Sequence, residues 1–130
     1  MAILGLGLDV CAVERMQRIL DGPRADRFLE RVFTAAERAS CHPRADAAAG
    51  FAARFAAKEA LVKALGAPQG IRWRDMEIVR EEGPPAFRLS GVAGAEVQRR
   101  RARVFLSMTH DGGVAAATVV LEAEAGGALR

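Results

Sequence analysis

Four polar residues stand out against an apolar frame: Asp9, Glu59, Lys63 and His110. Asp9 and Glu59 suit a hard divalent cation. Magnesium takes one or two protein carboxylates and completes its shell with water and substrate phosphate oxygens. Glu59 and Lys63 stand four apart in a stretch that reads as helix, so they share a face. Ala52 and Ala56 lie on that face too and are expected to leave room for a ligand. The same Glu–Lys pair is equally a plain helical salt bridge, worth about 0.2–0.5 kcal/mol. Lysine occurs only at Lys58 and Lys63, among many arginines. A compact ammonium is a common phosphate binder. Lys58, however, falls among phenylalanines, where it must snorkel outward or reach a buried partner. His110 is expected to end a strand just before a turn, where binding residues often sit, although a lone histidine serves structure as readily. Spacing alone does not bring Asp9, Glu59 and His110 together. It supports a buried carboxylate and lysine and leaves a magnesium–phosphate site open, without naming a reaction.

The elements that must position these residues are legible from periodicity. Residues 2–10 alternate as a strand, with Leu4, Leu6, Leu8 and Val10 assigned to the core. The other face carries Ile3, Gly5, Gly7 and Asp9, and glycine inside a strand marks close approach of a backbone or ligand. Residues 12–20 form a helix with Val13, Met16 and Leu20 inward and Arg15 and Arg18 outward, Met16 lying near the edge of that outward face. Residues 24–33 form another, with Phe28, Leu29 and Val32 apolar and Arg24, Arg27 and Arg31 outside. Thr34 with Glu37 is a capping box that opens a third helix, which ends before Pro43. Residues 47–65 make the clearest helix, stopped by Gly66. Phe51, Phe55, Val62 and Leu65 form one stripe and Ala53, Ala57, Ala60 and Ala64 a second, so it is buried on two sides. Residues 71–79 and 85–90 read as strands about a Gly83-Pro84 turn, and 92–101 as a helix ending in Arg99-Arg100-Arg101. Residues 103–109 and 114–122 form a hairpin about Asp111-Gly112-Gly113.

Composition narrows the class. The 130 residues are 51% hydrophobic and 27% charged, with a net charge of +3. That fits one soluble domain, residues 1–123, followed by a flexible tail, 124–130. The mild basicity suits an acidic partner or a polyphosphate ligand. The two cysteines, Cys11 and Cys41, lack CxxC or zinc spacing and read as free, partly buried thiols of a reducing cytoplasm. The N-terminal residues read as a poor signal peptide and no apolar run reaches membrane length, so a cytoplasmic location and no membrane partner are expected. Arg99-Arg100-Arg101 reads as a solvated helix end, so no nucleic-acid partner is expected.

Three segments in order resemble holo-acyl-carrier-protein synthase, of the 4′-phosphopantetheinyl transferase family. They are Gly5-Leu6-Gly7-Leu8-Asp9-Val10, the run from Phe51 to Gly66 with Lys58-Glu59 and Lys63, and Leu106-Ser107-Met108-Thr109-His110-Asp111. Phe33-Thr34 with Glu37 is similar to a shorter family pattern. The resemblance implies an α+β fold, a single 4′-phosphopantetheinyl transferase-like domain with an antiparallel sheet packed on a long central helix. It implies a homotrimer with active sites at subunit interfaces. It implies that Asp9 and Glu59 hold Mg2+, that Lys63 also serves catalysis, and that Lys63, Arg54 and His110 contact the phosphates of coenzyme A. It implies that basic residues of the first two helices, Arg15, Arg18, Arg24 and Arg27, receive an apo acyl carrier protein in fatty-acid or polyketide synthesis. Family members often show Gly-Lys-Pro where this chain has Gly83-Pro84-Pro85, and the chain has no tyrosine.

The implied reaction breaks a pyrophosphate and uses the carrier serine as nucleophile. No Ser-His-Asp or Cys-His arrangement is therefore needed. Glu59 and a metal-bound water both qualify as general base. Hydrolysis of a nucleotide pyrophosphate, and a catalytically inactive carrier- or nucleotide-binding module, are the other readings. Asp9, Glu59 and Lys63 argue against the inactive one.

Overall fold

The computed structural model describes residues 2–124. Glu124 is the only part of the expected tail within them, and its N–H donates to the Arg101 carbonyl at 2.9 Å; the rest of the tail lies outside the described residues. The chain is α+β. Strand β1 (Ile3–Ala12) leads into helices α1 (Val13–Leu20), α2 (Ala25–Val32), α3 (Ala35–Cys41) and α4 (Ala47–Ala64). Strands β2 (Met76–Val79) and β3 (Ala86–Leu89), helix α5 (Gly91–Arg99), and strands β4 (Ala102–Asp111) and β5 (Val114–Ala123) follow. β1, β5 and β4 form an antiparallel sheet in that order, and β2–β3 a separate antiparallel pair. Gly112 and Gly113, both at positive φ, make the β4–β5 hairpin turn that the sequence signals.

Helix α4 lies across the three-stranded sheet and is enclosed nearly all round. Among its residues only Lys63 is exposed. Ala52 and Ala56, expected to leave space for a ligand, are fully buried. Their small size brings neighbouring elements close and leaves no cavity there.

The first strand corrects the expectation most plainly. Its glycine face, not its leucine face, meets the helix. A Cβ on Gly7 would sit 1.8 Å from the Ala60 carbonyl oxygen, and one on Gly5 would sit 2.2 Å from that of Ala64. Only glycine permits this backbone approach. The side chains of Leu4, Leu6, Leu8 and Val10 therefore point away from the core and stand exposed, as do Phe105 and Val114. The hydrophobic alternation was right, but the face assigned to the core was the wrong one.

The stretch 71–79 is strand only from Met76. Trp73–Asp75 forms a 3-10 turn, in which Asp75 N–H donates to the Arg72 carbonyl at 3.2 Å, and the buried Lys58 ammonium donates to the Trp73 carbonyl at 3.0 Å. Met16, near the edge of the outward face of α1, is core at 1% exposure and cannot join a surface contact.

Gly7→Ala is expected to cost about 2 kcal/mol or more, since overpacking against backbone cannot be relieved by a rotamer change. Chemical denaturation should show the loss, while Leu6→Ala in the same strand should cost much less in a single chain.

Candidate functional site

β1 and α4 together place the first group. Asp9 follows the glycines on the helix-facing side of β1, which sets its carboxylate beside the last turns of α4. Lys63 donates from Nζ to Asp9 Oδ1 at 3.0 Å and to the Leu8 carbonyl at 3.0 Å. The helical Glu59–Lys63 salt bridge does not form: the ammonium crosses to the strand instead. Glu59 is half-buried and has no hydrogen-bond partner among the described residues. Asp9, Glu59 and Arg15 all act electrostatically on the Cys11 thiol. Burial outweighs Arg15 and pushes that thiol up.

Two carboxylates and an ammonium at a rim give oxygen donors for one hard cation and a movable positive charge for an anion. Lys63 is about half exposed and can reorient. Among the described residues no group of three or more His, Cys, Asp or Glu side chains gathers, so a zinc-type cage is not formed there. The donor set fits a cation whose shell is completed by substrate phosphate and water.

A second group lies at the other end of α4. Arg54 is buried at 5% exposure; Nη1 donates to the Gly50 carbonyl at 3.3 Å and Nη2 to Ser40 Oγ at 3.4 Å, both long, while Nε has no partner. A buried guanidinium so weakly satisfied is poised for an anion. Arg44 and Arg54 both act on the Cys41 thiol, which burial nonetheless raises. His110 stands 3.9 Å from Asp46 Oδ2, and Asp46 is held by Arg44 at 2.9 Å. Arg44 was missed from the sequence because it sits in a connector with no pattern of its own.

The structure does not bring His110 to Asp9. His110 pairs with Ala115 and Asp9 with Ala117, so two strand spacings and two residues separate them, about 12 Å between Cα atoms. Lys63 lies about 14 Å along the helix axis from Arg54. The groups implied to share one ligand thus form two patches on one chain.

Lys58 belongs to neither. It is fully enclosed, and its Nζ donates to Glu37 Oε1 at 2.8 Å. Burial pulls its pKa down, and Glu37 opposes that shift. Lys58 is therefore structural and not a phosphate ligand. Glu37 reads from the sequence as half of a capping box and as part of the short Phe33-Thr34 family pattern. It closes that box, accepting from Thr34 N–H at 2.9 Å, and also accepts from Ile78 N–H at 3.1 Å.

Arg15, Arg18, Arg24 and Arg27 are all exposed on or beside α1 and α2. The last three border a groove of ≈ 430 Å³ floored by Ile19, Pro23 and Phe28. A roomier groove, ≈ 600 Å³, opens beyond Arg31 toward Trp73 and Arg74. Neither of these two grooves includes Asp9, Glu59 or Lys63.

The family description that matches residues 5–119 is the 4′-phosphopantetheinyl transferase superfamily. The chain is 64% identical over 124 residues to the holo-[acyl-carrier-protein] synthase of Myxococcus xanthus, with 95% of this chain and 98% of that protein covered. Its fold is similar to an ACPS–CoA complex of Chronobacterium ammoniagenes, at TM-score 0.80 and 26% identity, covering 95% and 99% of the two chains. It is also similar to a holo-(acyl-carrier-protein) synthase of Bacillus anthracis in complex with CoA (3′,5′-ADP), at TM-score 0.76 and 31% identity, covering 94% and 98%.

Proposed function

We propose, from the premise that the chain belongs to the 4′-phosphopantetheinyl transferase superfamily as a holo-[acyl-carrier-protein] synthase, that it moves the 4′-phosphopantetheine arm of coenzyme A onto a serine of an apo acyl carrier protein and releases adenosine 3′,5′-bisphosphate. The reaction is placed in the cytoplasm, in fatty-acid or polyketide synthesis. The observation that carries the chemical reading is the Asp9–Lys63 contact beside Glu59.

The carrier serine hydroxyl attacks the phosphopantetheine phosphorus, and the pyrophosphate bond to the adenosine bisphosphate breaks. Asp9 and Glu59 would hold a magnesium ion, which when bound would neutralise negative charge on phosphate. Lys63 swings from Asp9 to a phosphate oxygen of the same group, so that its charge faces the negative charge growing in the transition state. Little covalent work falls to the protein, and positioning supplies much of the rest.

Arg54 and His110 bind further phosphate of coenzyme A. Their separation from Asp9 on one chain supports a site completed across subunits. The exposed row Leu4, Leu6, Leu8 and Val10 with Phe105 supports the same arrangement, because an apolar face of this kind marks an interaction surface. We assign it to a homotrimer. Arg15, Arg18, Arg24 and Arg27 receive the acidic carrier and steer its approach.

Three outcomes are expected. Incubation with coenzyme A, magnesium and apo carrier protein, read by intact mass, should add one phosphopantetheine in the wild type and none with Asp9→Asn or Glu59→Gln. Normal turnover by both variants, with chelator controls, would remove the metal assignment. Light scattering should report a trimer, and Leu6→Glu should dissociate it with loss of transfer. A fully active monomer contradicts the shared site. Reversal of Arg15 and Arg18 to Glu should raise the carrier KM strongly at low salt, less as salt rises, and leave coenzyme A binding unchanged. Unmoved carrier kinetics would place docking elsewhere.

A further inference from the structure

Residues 58–60 of α4 are gripped from both sides. On the sheet side, the Ala60 carbonyl meets the bare backbone of Gly7. On the opposite side, Lys58 Nζ reaches Glu37 Oε1 at 2.8 Å and the Trp73 carbonyl at 3.0 Å, with the Phe33 ring centroid at 5.3 Å. Glu37 in turn accepts from the N–H groups of Thr34 and Ile78. The pair therefore ties three elements to a single point on α4: Glu37 holds the start of α3 and strand β2, and Lys58 holds the turn at Trp73. Neither charged side chain of the pair has any exposure.

Glu59 sits between the two grips. Its partner carboxylate, Asp9, lies two residues beyond Gly7 on the strand that forms the other grip. A magnesium ion shared by these carboxylates demands near-ideal octahedral geometry and tolerates little error in ligand position. Replacing a buried ion pair with apolar groups of like volume is often neutral or stabilising. The pair is thus not needed for stability alone, and its place beside Glu59 bears on the cation site.

We infer that Lys58 and Glu37 are positioning residues that fix the place of Glu59 on α4 relative to Asp9, and so set the geometry of the cation site. This rests on the metal reading above. Lys58 does not touch the substrate, because it has no exposed surface; it acts through the helix backbone on its neighbour.

The test is a variant that removes both charges while keeping shape, Lys58→Met with Glu37→Gln; Thr34 N–H and Ile78 N–H use different oxygens of Glu37, so the glutamine carbonyl keeps one of these two bonds. The variant's folding is checked by cooperative melting and by light scattering. Manganese(II) binding is then measured from the free-ion electron paramagnetic resonance signal, with and without coenzyme A. A folded double variant should bind manganese about tenfold more weakly or worse, the usual effect of disturbing groups that orient metal ligands. Its kcat should fall while KM for coenzyme A and for the carrier stays within about twofold. Unchanged manganese affinity and kcat in the folded variant would overturn the inference. If the double variant does not fold, Lys58→Arg, which keeps the charge but displaces it, is judged by the same criteria. Asp9→Asn in the wild-type background separates the two readings. If that change leaves manganese affinity intact, the cation reading itself fails and the inference with it. If Asp9→Asn lowers the affinity but the pair variant does not, only the pair's role is refuted.

Discussion

The approach of β1 to α4 backbone against backbone is the constraint from which the rest of the molecule follows. With the Gly5 and Gly7 positions pressed on the carbonyls of Ala64 and Ala60, no side chain separates strand from helix there. The alanines of α4 are the matching half of this contact, since a larger residue on that face would hold the two apart. The closeness is what lets a short aspartate on the strand meet a lysine on the helix. It also fixes which way the strand faces: once the glycines turn inward, the leucines must turn outward.

Much of this was legible in the sequence. The length and limits of α4, the capping box at Thr34 and the glycine hairpin joining 103–109 to 114–122 all follow from local rules, and the structure reproduces them. The orientation of β1 did not follow from those rules. Hydrophobic alternation says that two faces differ, but assigning the apolar one to the core assumes that a single chain covers all its own apolar surface. Here Leu6 and Leu8 are more than 60% exposed. Gly5 and Gly7 did signal close approach, and that signal outranked hydrophobicity. The site was legible as residue types and not as geometry. Asp9 and Lys63 do meet, whereas His110 and Arg54 lie elsewhere, and no spacing rule could separate these cases.

The two lysines show how one residue type serves opposite ends on one helix. Lys58 has surrendered all contact with water and is held by a carboxylate, a carbonyl and an aromatic ring. Removing only one member of such a pair costs about 3–5 kcal/mol, because the other is left charged in an apolar place. Lys63, five residues on, keeps about half its surface in solvent. The arginine-rich remainder of the chain lies mostly on the surface, where a large planar cation carries little desolvation cost.

The pairing of β1 with β5 has a consequence for how the protein is made. Thr118 Oγ donates to the Gly7 carbonyl at 3.1 Å, a bond between residues 111 apart in the chain. The strand that carries Asp9 is made well before the strand that must lie beside it. At about 5–20 residues per second, the nascent strand waits for several seconds or more with its leucine row uncovered. The sheet closes only once β5 has been made, so a product cut short before it would display the apolar row with neither its sheet partner nor another subunit to cover it, in a form that quality control can recognise.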